Sequence, residues 1–197
     1  MPLRYEERRA IVDKAIGKIG EGKDLKKKQK RELFDTILPF AYQAADSMKK
    51  YGYNYETSKD ANLPINRKIL DDVGFSYGKT GSASGQFVNN DVRLTERKDA
   101  FRGIPSSKNG SKLSTFVHET SHAIDFLSGD NYTGIGTREH GFTGNRQTTK
   151  YEHRPNELFA NWVSALYRSP DVKDRTGEQQ AWFNYLARIN KDANKSK

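Results

Sequence analysis

The sequence contains no cysteine, only two tryptophans, two methionines and four histidines among 197 residues, and no long apolar run. Without cysteine there is no disulfide, no thiolate nucleophile and no zinc–thiolate site, so any metal must be held by His, Asp or Glu. No stretch approaches the roughly 20 apolar residues that a membrane-spanning helix needs. The start, MPLRYEERRAIVDK, carries charge where a signal peptide requires an apolar core, so no signal peptide is expected. A soluble chain is expected, and both a secreted toxin fragment and a phage-associated protein fit it. Hydrophobic residues make up only 34% and charged ones 30%, which predicts a modest core under a highly charged surface. Ten Phe and ten Tyr nevertheless argue against disorder. The length suits one compact domain.

The net charge of +9 comes partly from GKDLKKKQKRE, residues 22 to 32, where six of eleven residues are Lys or Arg. Such a run can bind phosphates or an acidic surface. No aromatic residue interleaves these charges, as a nucleic-acid platform requires, so a solvated helical face is the expectation and nucleic acid is not an expected partner.

Hydrophobic spacing divides the chain. Ile11, Val12, Ala15, Ile16 and Ile19 form a helical stripe that GKIGEGK interrupts, and a second stripe runs from Leu33 to Met48. Pro39 inside the second predicts a kink or two abutting helices. INRKILDDVG suits a short helix. YGKTGSASG, residues 77 to 85, is flexible by composition, and QFVNNDVRLTER reads as strand or hairpin, so residues 75 to 95 are the one convincing β region. Residues 98 to 111 read as loop. A helix is predicted from about Lys112 to Ser128, stopped by Gly129, with Leu113, Phe116, Val117, Ile124 and Leu127 toward a core. After a Gly/Thr-rich loop, Pro155 opens a helix that Pro170 closes. A last helix starts at a Thr176/Gln179 capping box and is expected to bury Trp182, Tyr185, Leu186 and Ile189. The fold class is therefore mainly α with a small β-sheet (α+β). Residues 1–74 are read as a helical region packed on a second region, 75–197, which holds the candidate site residues, within one compact domain.

The stretch STFVHETSHAIDF, residues 114 to 126, places His118 and His122 four apart, on one helical face where they can bind one ion together. Glu119 lies about 100° round the helix, poorly placed as a ligand yet close enough to act on a water. Two histidines do not complete a site, since zinc chemistry wants three protein ligands and an open position. Glu157, in YEHRPNELFANW, is a candidate third ligand at the start of the next helix; His140, His153 and Asp125 compete with it. Asp125, on the same face as His122, suits orienting a histidine more than binding metal, and Asn161 suits a similar supporting part.

HETSHAID followed by NELFANW resembles the zinc peptidase domain of the anthrax toxin lethal factor and Pro-Pro endopeptidase group, over about residues 75 to 190. The resemblance implies a gluzincin-like, zincin-like metallopeptidase fold built around an HExxH helix. It makes His118, His122 and Glu157 the ligands of a Zn2+ ion and Glu119 the general base. It also implies a tyrosine shortly before the ligand glutamate that stabilises the oxyanion. Tyr151 is its counterpart here, six residues before Glu157 where the family pattern has seven; Lys150 holds that position. The activity so implied is hydrolysis of peptide bonds by a metal-activated water, on a protein or peptide substrate bound in extended form, with GQFVNNDVRL suited to pair with it as an edge strand. A monomer is expected. The rival expectations are a catalytically inactive or structural zinc-binding toxin or phage module whose basic helix meets an anionic partner, and a metal-dependent hydrolase of another substrate.

Overall fold

Helix α1 (Tyr5–Gly20) begins where a Glu7 carboxylate oxygen accepts the Arg4 backbone N–H at 2.7 Å, and it buries Val12, Ala15 and Ile19 on one stripe. It stops at Gly22, whose φ of +70° favours glycine. There the Gly22 N–H bonds the Ile19 carbonyl at 3.0 Å and the Lys23 N–H bonds the Lys18 carbonyl at 3.1 Å, which closes the helix end. The computed structural model describes residues 3–51, 70–97, 112–127 and 154–195. The expected short helix near residue 70 lies mostly outside these residues, as do the 98–111 loop, Gly129 and the Gly/Thr-rich loop.

Helix α2 (Lys27–Lys50) runs uninterrupted through Pro39, so the alternative of two abutting helices does not occur. A proline inside a helix costs about 3 kcal/mol. Phe34, Ile37 and Phe40 around it are all buried, and each contributes roughly 1.5–3 kcal/mol, so tertiary burial outweighs the lost helical bond.

Strands β1 (Gly74–Gly78), β2 (Gly85–Val88) and β3 (Asp91–Thr95) form a sheet in the order β1-β3-β2, with β1 parallel and β2 antiparallel to the central β3. The β2–β3 hairpin turns at Asn89 and Asn90, both at positive φ (51° and 61°), the conformation that matches a two-residue hairpin to strand twist. The segment expected to be flexible, 77 to 85, is instead anchored in the sheet at both ends. Tyr77 and Gly78 finish β1, Gly85 opens β2, and the Thr80 hydroxyl donates to the Ala83 carbonyl at 2.6 Å in the turn between. Composition does not reveal that β3 supplies backbone partners to both ends.

Helix α3 (Lys112–Leu127) packs against β2, β3, α1, α2 and α4 (Pro155–Arg168) and is buried on nearly every side. The expected stripe of Phe116, Val117, Ile124 and Leu127 is buried, Leu113 half so; the polar face from Glu119 to His122 and Asp125 is buried as well. Its hydroxyls are satisfied by the helix itself: Thr120 Oγ1 donates to the Phe116 carbonyl and Ser121 Oγ to that of Val117, both at 2.7 Å.

A 3-10 turn (Val172–Asp174) leads to helix α5 (Gly177–Lys195). The expected capping box is present, with Thr176 N–H on Gln179 Oε1 at 2.9 Å and Gln179 N–H on Thr176 Oγ1 at 3.2 Å. Its buried face differs from the expected one. Phe183 joins Leu186 and Ile189 in the core, whereas Trp182 and Tyr185 are half-buried and stack on each other with ring centroids 5.3 Å apart. Phe183 meets Trp162 of α4 (5.8 Å), a tertiary contact that selects the face. The described residues thus form a mainly helical α+β structure of five α-helices and one three-stranded sheet. None of these helices is long and apolar enough to cross a membrane.

Arg8 is buried on α1 and sits among three rings, 4.8 Å from Phe40, 5.5 Å from Tyr167 and 5.7 Å from Tyr5. It donates to the Leu3 carbonyl at 2.7 Å and to the Tyr167 carbonyl, in the last turn of α4, at 2.9 Å. Burial depresses its pKa, so the rings and carbonyls offset a real desolvation cost. Arg8→Ala is expected to lower stability by about 2–4 kcal/mol, because two hydrogen bonds from a charged group and the ring contacts are lost together. Arg8→Met, which keeps most of the volume, should lose less. Urea denaturation midpoints measure both, and an unchanged midpoint in Arg8→Ala would show that Arg8 pins nothing.

Candidate metal centre

The site is built where α3 and α4 cross. Ser164 Oγ donates to the Ser114 carbonyl at 3.2 Å, and one turn further along α3, two turns back along α4, His118 meets Glu157. These two contacts make the helices antiparallel at their interface. Helical spacing stacks the His118 and His122 rings edge-on, centroids 4.8 Å apart. Pro155 fixes the first turn of α4, so Glu157 presents its carboxylate from a helix N-terminus, where the backbone dipoles favour negative charge.

His118, His122 and Glu157 are brought together, each offering a ligand atom within 4.8 Å of the others. His118 Nε2 lies 3.2 Å from His122 Nε2 and 3.2 Å from Glu157 Oε2, while His122 Nε2 lies 3.4 Å from the other carboxylate oxygen, Oε1. Ligands held at about 2.0–2.1 Å in tetrahedral geometry stand about 3.3 Å apart. The observed separations match that edge length, and neutral imidazoles with a carboxylate are the donors a divalent metal takes. The group can hold one metal ion.

Glu119 is buried beside this group but is not one of the three. Its neighbours are on β2, where a Cβ built on Gly85 would fall 2.9 Å from Glu119 Cγ. Asp125, weighed above as a competing ligand, also lies outside the group; it is fully buried and acts electrostatically on His122. Asn161 is buried too, so neither of these supporting residues is a surface group. Tyr151, His140 and His153 lie outside the described residues. Sequence reasoning did not find Gly85, because a glycine in a Gly/Ser-rich segment looks like any other until the strand it opens is laid against α3.

No protein family, curated protein or solved structure matches the chain. The chemistry must therefore be read from the side chains.

Burial alone would disfavour a charged His122, but the Glu157 carboxylate outweighs it through charge and hydrogen bonding, Glu119 and Asp125 add to it, and the pKa rises to about 9. Glu157 shows the same interaction from the other side: burial pushes its pKa up, while His122 and His118 pull it well below the usual carboxylate range. Glu119 moves the opposite way, its pKa raised by burial that the two imidazoles offset only in part. A carboxyl with an elevated pKa next to a ligand group suits proton transfer better than ligation.

A proton on His122 competes with a metal ion. With the folded-state pKa raised from 6.5 to about 9, the metal-free protein holds that stabilisation fully below pH 6.5 and loses it as pH rises through about 9. Metal affinity runs the other way, gaining about tenfold per pH unit while one proton must be displaced. Competition of zinc between the protein and a chelator at pH 6.5, 7.5 and 8.5 measures this slope. A flat profile would show that His122 carries no proton in the metal-free state.

Proposed function

We propose that this protein is a zinc-dependent endopeptidase with a zincin-like fold, in which His118, His122 and Glu157 hold the metal and Glu119 is the general base. The observation that carries the reading is the convergence of two imidazoles and one carboxylate at tetrahedral spacing, with a second, separately held carboxyl of elevated pKa beside them. Zinc in such a set supplies Lewis acidity toward a carbonyl and acidifies water.

The residues divide the remaining work. Glu119 accepts a proton from the attacking water and delivers it to the leaving amine, for which its buried, raised-pKa carboxyl is suited. Glu157 holds His122 and His118 in orientation from the N-terminus of α4. Asp125 adds negative charge behind His122, which makes that imidazole a stronger donor. Tyr151, by resemblance to the lethal factor group, is the proposed oxyanion donor. The edge of β2, against α3, supports binding of a peptide in extended form.

The rival reading, an anionic partner on the basic run, draws less support. Lys27 and Arg31 pair with Asp71 at 3.6 and 2.9 Å, and the Lys30 ammonium donates to the Asp71 carbonyl at 2.8 Å. Half of the run's cations thus serve to fix α2 against the segment before β1.

Glu119→Gln should retain zinc and lose about 100- to 10,000-fold in peptide hydrolysis, the usual cost of removing a positioned base. Glu157→Ala should weaken zinc binding severely, since two ligands leave the ion largely solvated. Metal content and cleavage of a random peptide library measure both. Hydrolysis by Glu119→Gln at the parent rate, or none by the zinc-loaded parent, would sink the peptidase reading.

A further inference from the structure

Helix α5 carries a polar stripe beside its buried one. Asn184, Ala187, Arg188 and Lys191 stand at i, i+3, i+4 and i+7, on one face of the helix, and with Asp192 and Tyr51 they line a cavity of about 350 Å3. Two contacts fix its walls. The buried Asn190 amide donates to the Met48 carbonyl at 2.8 Å and ties α5 to the last turn of α2, while the Tyr51 ring stacks on Trp162 of α4, centroids 5.8 Å apart and planes within 12°. The cavity shares no residue with the metal-ligand group.

The lining is built of donors. The Lys50 and Lys191 ammonium groups lie over the Tyr51 ring, 5.6 and 5.7 Å from its centroid, and the Arg188 guanidinium lies 5.3 Å from that of Tyr185. Among the described residues, none of these three cations forms an ion pair with a carboxylate. Asn184 Oδ1 accepts from Gln180 Nε2 at 2.9 Å, which turns the amide so that Nδ2 is a further donor. A cation in the last turn of a helix offsets the helix dipole, and that accounts for Lys50. It does not account for Arg188, about two turns before Lys195 at the end of α5.

We propose that this cavity binds a small organic phosphate of about mononucleotide size. The Arg188 guanidinium, whose planar fork matches two phosphate oxygens, holds the anion together with the Lys191 ammonium and the Asn184 amide. Small-molecule sites run from roughly 300 to 1,000 Å3, so a phosphate alone would leave most of this one empty. The organic body of the ligand packs on Tyr51 and Ala187. Stacking on Trp162 has already ordered the Tyr51 ring, so little further entropy is lost when a ligand meets it. The site stands independently of the peptidase reading.

Calorimetric titration of the zinc-loaded protein with adenosine 5′-monophosphate as the probe tests this. Arg188→Gln and Lys191→Gln should each weaken binding about tenfold, the worth of one hydrogen bond from a charged group. Lys28→Gln, on the exposed basic run, removes the same charge and should leave binding within about twofold. Arg188, Lys191 and Lys28 are all exposed, so the fold tolerates each change. Adenosine and inorganic phosphate should each bind about tenfold more weakly than the probe, since each lacks one half of the recognised group. No binding of the probe, or an equal loss in Lys28→Gln, overturns the proposal, the second because it would show general charge attraction. Inorganic phosphate binding as tightly as the probe overturns the part played by Tyr51 and Ala187. Binding that survives in Arg188→Gln and is lost in Glu157→Ala puts the phosphate on the metal and overturns the site.

Discussion

Helices α3 and α4 approach closely enough for Ser164 to donate to the backbone of Ser114, and the metal-ligand group depends on that approach. Small side chains at this crossing let the two backbones come together. One turn along, the same spacing puts an imidazole against a carboxylate at 3.2 Å. A larger residue at either serine would separate the helices, and a shift of an ångström at the crossing is the difference between a ligand cage and two unrelated polar side chains. The aromatic and aliphatic residues on the opposite faces, Phe116 and Ile124 on α3, Phe159 and Val163 on α4, supply the apolar burial that holds the crossing in place.

That burial also sets the electrical character of the site. Four ionisable groups, His118, His122, Glu157 and Glu119, share a volume from which most water is excluded, and none would be stable there alone. Without metal, the imidazoles and Glu157 neutralise one another, which draws the Glu157 carboxyl strongly toward its charged form. Among the described residues Glu119 has no Lys or Arg partner, and the imidazoles of His118 and His122 are what offset its burial. The same low-dielectric surroundings thus produce an ionised carboxylate and a reluctant one a few residues apart in space, and the difference comes entirely from what each faces.

Much of this was legible in the sequence, for identifiable reasons. Helical periodicity located α1, α2, α3 and α4, and Thr176 with Gln179 announced the start of α5, because caps and stripes are local in the chain. The spacing of His118 and His122 and the position of Glu157 after Pro155 were likewise local signals. The buried face of α5 was not legible: Trp182 and Phe183 are adjacent and equally apolar, and only Trp162 on another helix decides between them. Nor was the role of Gly85, which depends on a strand register and a helix 30 residues away. Arg8 gave no sign at all, since an arginine in a charged amphipathic helix is ordinary until three rings surround it.

Two contacts join distant parts of the chain: Arg8 reaches the Tyr167 carbonyl across 159 positions, and the Asn190 amide donates to the Met48 carbonyl at 2.8 Å across 142. During synthesis, α1 is made long before the carbonyl it will hold, and α2 waits for α5. Until both close, α4 lacks its anchor at one end and its flank along α5. The residues that converge at the other end of α4 would then come together late, after loops of high closure entropy have formed. A nascent chain therefore carries HETSH complete while having no centre in which those histidines meet Glu157, and the order of translation by itself keeps the site unassembled until α4 and the helix that flanks it have been made.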